Sequence, residues 1–322
     1  MSTSNKIGVV LATFNGQQFI KEQLQSIINQ TLRPDTIIIS DGGSTDDTVN
    51  ICEEFLSRSG IVYKIYTSVE PLNVRENFQK GLSLCDTDYI FFSDQDDYWE
   101  DYKIETMMDA FKIEGVKLVF SNSLLVDQNL KSLDQTMWDH LGYKQDSKIR
   151  VYDKNSKNYL SIQFRHNIIT GMCMAITSEV KNAVIPFSIY GIHDDWIALV
   201  SGCLGKIAAL NYNLVRYRQH SHNTIGTSDS LLASFRRRGI YYDSILNRLN
   251  FTETVLSFHK KHNGTNIDMI QRYLDYLQFR LEYMKRKHNI FSILSLRRKY
   301  IKYENRYKPV ILKDAFIHIF NS

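Results

Sequence analysis

The sequence predicts an α/β fold built on an open sheet with helices packed over it. Three observations carry this reading. Short unbroken apolar runs recur through residues 1–121, as strands buried on both faces require. Segments of helical spacing alternate with them, which implies right-handed crossovers between strands. Polar clusters stand at the carboxyl ends of three runs, where ligands bind in open α/β sheets.

The elements follow in order. Ile7-Gly8-Val9-Val10-Leu11-Ala12 is a buried strand, and Phe19 to Ile28 has helical spacing. Thr36-Ile37-Ile38-Ile39-Ser40 is the second strand. Ser44-Thr45-Asp46-Asp47 offers capping oxygens for a helix through Leu56. Val62 to Tyr66 is a third strand. Asn77 to Leu84 is a helix with Phe78 and Leu82 on one face. Tyr89-Ile90-Phe91-Phe92 is the fourth strand and ends at Ser93-Asp94. A helix from Tyr102 to Phe111 leads to a fifth strand, Lys117 to Ser121. Residues 122–165 are polar and irregular and read as loop with weak elements. Ile169 to Ala175 is a strand, followed by a helix from Ser178. Asp194 to Leu204 is a helix, and Lys206 to Arg218 reads as paired short strands. From Leu231 the pattern is helical and basic. The expected division is 1–230, with halves 1–121 and 122–230, then a helical segment 231–322.

With 322 residues, 43% of them hydrophobic, the chain can bury a larger core than one ordinary domain has. Charge is unevenly placed. Residues 231–322 hold 18 Lys and Arg against 7 Asp and Glu, whereas the rest holds 21 against 28. The acidic part suits a divalent cation and the basic part an anionic surface. Cys52, Cys85, Cys173 and Cys203 form no Cys-x-x-Cys pair and read as small core residues in a reducing compartment. Met-Ser-Thr-Ser-Asn-Lys lacks the apolar stretch of a signal peptide. No run approaches the roughly 18 apolar residues of a membrane span. The expected location is therefore cytoplasmic.

Asp94-Gln95-Asp96-Asp97 sets three carboxylates in four residues after a buried strand. Alternate residues on an extended chain point the same way, so Asp94 and Asp96 can share one ligand. Hard oxygen donors suit Mg²⁺ or Mn²⁺, which could bridge a nucleotide diphosphate. The competing reading is an acidic turn that caps the next helix. In Ser40-Asp41-Gly42-Gly43-Ser44-Thr45-Asp46 the glycines admit close approach of a ligand. Asp41 is placed to accept from a base N–H or a ribose hydroxyl. The competing reading there is a glycine turn with a helix cap.

Together, Ala12-Thr13-Phe14-Asn15-Gly16, Asp41 to Thr48 and Asp94 to Asp97 resemble the ordered motifs of the inverting family-two glycosyltransferases. The resemblance spans residues 6–225. It implies the glycosyltransferase A (Rossmann-like) fold, a mixed, mostly parallel sheet flanked by helices. Gln95 within the acidic motif and Trp99 after it resemble transferases of O-antigen and capsule assembly, including rhamnosyltransferases. Asn73 stands where relatives often have Gly, and Asn also tolerates left-handed backbone.

The resemblance implies roles. Thr13, Asn15, Asp41, Asp94, Gln95 and Arg218 would bind the nucleotide-sugar. Asp96 and His220 would hold Mn²⁺ or Mg²⁺. In Ile192-His193-Asp194-Asp195-Trp196 the catalytic base would be Asp194, with Asp195 as runner-up, taking the acceptor hydroxyl proton. Helix capping by Asp194 is the alternative. Arg216 or Arg218 would meet the diphosphate, and His222 is the weaker metal ligand. The implied reaction moves a sugar from a dTDP- or UDP-linked donor, with dTDP-rhamnose one choice. The acceptor would be a saccharide hydroxyl, lipid-linked and bound by 122–230.

Arg236-Arg237-Arg238, Lys285-Arg286-Lys287 and Arg297-Arg298-Lys299 interleave with apolar residues in 231–322. They read as a solvated face or as peripheral contact with an anionic membrane. No recognition motif supports nucleic acid as a partner. A sugar nucleotidyltransferase would need a basic residue in a Gly-rich first loop, which residues 12–16 lack. A non-catalytic sugar-nucleotide or membrane-binding module is the remaining alternative, and the intact acidic motifs weigh against it.

Overall fold

The runs at 7–13, 36–41 and 89–93 become strands buried on both faces, whereas the run at 62–67 forms the half-exposed edge strand. In the computed structural model, which describes residues 5–220 and 238–285, they line up as β1 (Ile7–Thr13), β2 (Thr36–Asp41), β3 (Val62–Thr67) and β4 (Tyr89–Ser93). Successive side chains point to opposite faces. Val10, Ile38 and Phe92 enter one hydrophobic cluster, while Val9, Leu11 and Ile37 enter another. Helices α1 (Ile20–Ile28), α2 (Thr48–Ser57) and α3 (Val74–Leu84) connect these strands. A two-residue strand β5 (Tyr98–Trp99) and α4 (Lys103–Phe111) follow.

The region 122–165 is ordered, contrary to the loop expected from its polarity. Strand β6 runs over Val116–Val126, well past Ser121. Ser121, Asn122 and Ser123 are buried within it, and the Asn122 carboxamide accepts from the Trp138 N–H at 3.1 Å. Small polar residues at buried strand positions hide a strand from an apolar pattern. Then come β7 (Ser132–Thr136), α5 (Met137–Leu141), β8 (Ile149–Tyr152) and α6 (Lys157–His166). A 3-10 turn, Gly171–Cys173, leads into β9 (Met174–Thr177) and α7 (Ser178–Val184). After α8 (His193–Leu204), Lys206–Arg218 is one strand, β10, rather than two. It pairs with β6 along its length, with irregularities flanking Asn213. Asn211 and Asn213 imitate a turn in the sequence and mark a bulge in the structure.

The strand order is β3-β2-β1-β4-β9-β6-β10-β5, with β7 on β6 and β8 on β10. The longest ladders, β1 with β2, β2 with β3 and β6 with β10, are parallel, whereas β9 is antiparallel to β4 and β6. Asn73 does not adopt left-handed backbone. At φ −73° it caps α3 in a reciprocal box with Glu76, so the helix starts three residues before Asn77.

Helices α9 (Arg238–Lys261) and α10 (Ile267–Lys285) pack into the same cluster as Trp196, Ile197 and Leu199, through Ile245, Val255, Ile270 and Leu277. No described helix is long and apolar enough to cross a membrane. The basic runs at 236–238, 285–287 and 297–299 lie outside the described side chains. The four cysteines are buried and unpaired.

Gly16 closes the first loop against the acidic run. A Cβ there would lie 2.2 Å from the Gln95 carboxamide oxygen. Gln95 pairs with Phe14 in the manner of a strand, accepting from its N–H at 2.8 Å and donating to its carbonyl at 3.0 Å. Gly16→Ala is therefore expected to break that pair and cost about 1–2 kcal/mol, read as a lower denaturation midpoint. An unchanged midpoint would refute the link between the two loops.

Candidate active site

Adjacent parallel strands deliver the first two motifs to one edge, where Thr13 and Asp41 are register partners. The Thr13 hydroxyl donates to Asp41 Oδ1 at 2.8 Å and the Ser44 hydroxyl to the same oxygen at 2.5 Å. Asp41 Oδ2 accepts from the Ser44 and Gly43 backbone N–H groups at 2.8 and 3.1 Å. Asp41 is thus buried and shapes its own loop. Asn15 sits at φ 49°, a conformation Asn tolerates, and its carboxamide accepts from Thr45 N–H at 2.9 Å. Asp46, expected to cap, does accept from the Thr48 N–H at 3.1 Å. The two loops are laced together around the exposed Phe14 and Asn15.

The acidic run splits into three environments. Asp94 is half-buried, and burial, then Asp96 and Asp194, push its carboxyl up to about 7 against Lys103. Asp96 meets His220, Oδ2 to Nε2, at 3.0 Å. Asp97 is fully buried and accepts from the Arg218 N–H at 3.1 Å, while its Oδ2 has no partner. Burial, with Asp96 and Asp94 close by, holds Asp97 well above the usual carboxylate range.

Lys103 was not singled out in the sequence. It lies buried beneath this run, donates to the Met172 carbonyl at 2.6 Å and sits 3.4 Å over the Trp99 ring. Burial pulls its ammonium down to about 7, opposed in part by Asp97 and Asp94. The overlooked signal was a lysine on the apolar stripe of Lys103, Met107 and Ala110.

Arg218 is 2% exposed. Its guanidinium donates to the Asp96 carbonyl at 2.7 Å, to the Gln128 carbonyl and to Glu22, and it lies over the Phe19 ring. The expected diphosphate contact does not match this placement, because the side chain is a strut between the acidic loop, α1 and the end of β6. Arg216 is paired with Glu100 at 2.7 Å. His222 lies outside the described residues.

The two base candidates separate clearly. Asp195 is buried, accepts from the Gln163 carboxamide at 3.0 Å and forms an ion pair with Arg248 of α9. Asp194 Oδ1 accepts from its neighbour's N–H at 2.6 Å and from Asn167 at 3.3 Å, and the Gly171 N–H also bonds this carboxyl. Burial and then Asp195 push its carboxyl up to about 7. His193 stacks on Phe78 with 4.2 Å between centroids, and burial pulls it down to about 3, so it is neutral. Asp195→Asn is expected to strip Arg248 of its counter-charge and cost about 2–3 kcal/mol in urea unfolding. Wild-type stability would remove Asp195 from this structural role.

Among the described residues no three His, Cys, Asp or Glu side chains are grouped to hold a metal by themselves. Asp96 and His220 nonetheless offer a hard carboxylate and an imidazole side by side. Magnesium-type sites on phosphate substrates often use only one or two protein ligands, so the pair fits a cation shared with a diphosphate.

The family model of glycosyl transferase family 2 matches residues 8–180, more than half of the chain. The chain belongs to glycosyl transferase family 2. This glycosyltransferase is 31% identical over 248 residues to the dTDP-rhamnosyl transferase RfbG of Shigella flexneri, covering 71% of this chain and 78% of the relative. It is 26% identical over 159 residues to a GalNAc(5)-diNAcBac-PP-undecaprenol beta-1,3-glucosyltransferase of Campylobacter jejuni, covering 49% and 48%. Among solved structures, S. aureus TarS 1-349 with UDP-GlcNAc superposes at a TM-score of 0.54 and 17% identity, over 80% of this chain and 72% of that one. The fold is that of the glycosyltransferase A enzymes, as the motifs implied.

Proposed function

We propose that this family-two glycosyltransferase moves a sugar, with inversion, from a dTDP- or UDP-linked donor to a saccharide hydroxyl on a lipid-linked intermediate of surface polysaccharide. One observation carries the reading. His193, next to Asp194, stacks 6.4 Å from Phe92, two residues before Asp94, so the donor half and the second half meet at one site. The names of the relatives, a dTDP-rhamnosyl and an undecaprenol-linked glucosyl transferase, support dTDP-rhamnose as donor and a lipid-linked acceptor.

Thr13, Asn15 and Asp41 shape the pocket edge for the nucleoside, and Gln95 and Arg218 hold that edge to the acidic run. Asp96 and His220 would hold Mn²⁺ or Mg²⁺, whose chemistry is Lewis-acid neutralisation of the departing diphosphate. Asp194 accepts the proton of the acceptor hydroxyl as that oxygen attacks the anomeric carbon and the bond to diphosphate breaks. Lys103 offsets the crowded carboxylates from below. Residues 231–322 would add contact with an anionic membrane through their basic runs.

Full-length protein is incubated with dTDP-rhamnose, UDP-glucose and UDP-N-acetylglucosamine, with Mn²⁺, Mg²⁺ or EDTA. Cation-dependent release of nucleoside diphosphate from one donor is the expected result. Absence of release and of any thermal shift with all three donors would overturn the reading.

A further inference from the structure

A cleft of about 550 Å³ opens beside Asp195, outside the donor loops. Three segments distant in sequence enclose it: the end of α6, the loop before α8 and the buried-to-exposed edge of α9. Tyr190, 41% exposed, gives it an accessible aromatic ring, and Phe164 and Phe251 are buried behind Arg248. Asn167, Ser244 and Asn247 give it neutral hydrogen-bonding groups. Its two ions, Asp195 and Arg248, are paired with each other. The loop and α9 form one wall, since a Cβ on Gly191 would lie 2.3 Å from the Phe251 ring.

Asn167 connects this cleft to the chemistry. It lines the cleft, and its amide nitrogen donates to Asp194 Oδ1 at 3.3 Å. Its amide oxygen accepts from Gln163 at 2.5 Å, and Gln163 also donates to Asp195. A bonded chain therefore runs from the base through Asn167, Gln163 and Asp195 to Arg248 of α9. A ligand in the cleft is one side chain from the base.

The lining selects a chemistry. Phosphate would call for unpaired cations, and the cleft's one described cation is already opposite a carboxylate. A lipid tail would call for unbroken apolar walls. The exposed Tyr190 ring beside carboxamides and a hydroxyl suits the C–H face and hydroxyls of a sugar. We propose that this cleft seats the acceptor saccharide, and that Ser244 and Asn247 of α9 read its hydroxyls. The assignment rests on the transferase reading above. It places acceptor recognition partly in the C-terminal segment, beyond the 122–230 half expected to contain it.

Ser244 and Asn247 are exposed, so bulky replacements leave the core intact. Saturation-transfer NMR would use the p-nitrophenyl glycosides of rhamnose, glucose, galactose and N-acetylglucosamine, each with full-length protein and UDP or dTDP. Binding of one or more is expected, weakened more than tenfold by S244W and by N247W. E253W, at another exposed position of α9, is the control for bulk and leaves binding unchanged. No bound glycoside, or binding indifferent to both tryptophans, overturns the assignment. Glycoside binding that the tryptophans abolish, in a protein that splits no nucleotide-sugar, refutes the transferase reading and leaves the cleft as a saccharide site. Transfer that continues with an unchanged acceptor KM in both variants refutes the cleft alone.

Discussion

Asp194→Asn is expected to lower kcat for sugar transfer by about 10³-fold, the scale of a lost general base, with the donor KM unchanged. The carboxamide keeps the size of the side chain and its acceptor oxygen toward Asn167, so the fold is retained. The same group sets the pH dependence. Its carboxyl stands at about 7 because it is buried beside Asp195. A base works deprotonated, so transfer rises with pH through about 7 and is lost below it. Stability runs the other way. A carboxyl raised on folding contributes stability fully present below its unfolded range, and that contribution is lost as pH rises through about 7. Asp194→Asn should remove the rise in kcat near 7 and flatten this part of the stability profile. A variant with wild-type kcat, or with the acid limb intact, would move the base elsewhere.

The second large effect belongs to Arg218. Arg218→Met is expected to lower stability by about 3 kcal/mol, because it leaves the Asp96 and Gln128 carbonyls without their buried donor. The acidic loop loses its tie to α1, and the donor KM rises as a consequence. Arg218→Lys should recover less than half of the stability, since one ammonium cannot span the three directions of the guanidinium fork. Chemical denaturation of the two variants measures this. Unchanged stability with a donor KM raised a hundredfold would return Arg218 to direct contact with the diphosphate.

The split between Asp194 and Asp195 shows where reading the chain stops. Both residues open the same helix and both are carboxylates, so only the family resemblance, which favours Asp194, ranks them in the sequence. Arg248, which neutralises Asp195, comes 53 positions later, on a helix that a sequence reading sets apart as basic surface. Arg218 is similar. An arginine in a polar, basic stretch reads as a phosphate ligand, yet its partners Glu22, Asp96 and Gln128 are brought around it only by the sheet. Lys103 is buried beneath the 3-10 turn at 171–173, whose Met172 carbonyl it meets only in the folded sheet.

Strands β1 to β4, their polar ends and the three motifs were determined by the sequence alone. Short apolar runs alternating with helical segments suit a parallel sheet, which sends their polar ends to one edge. Tertiary structure decided the rest. It ordered 122–165 through buried polar residues, joined 206–218 into one strand and made Arg218 a strut. It also brought Arg248 of α9 against Asp195. Each of these depends on a partner far along the chain, and burial beside that partner, rather than residue type, sets which carboxylate is free to take a proton.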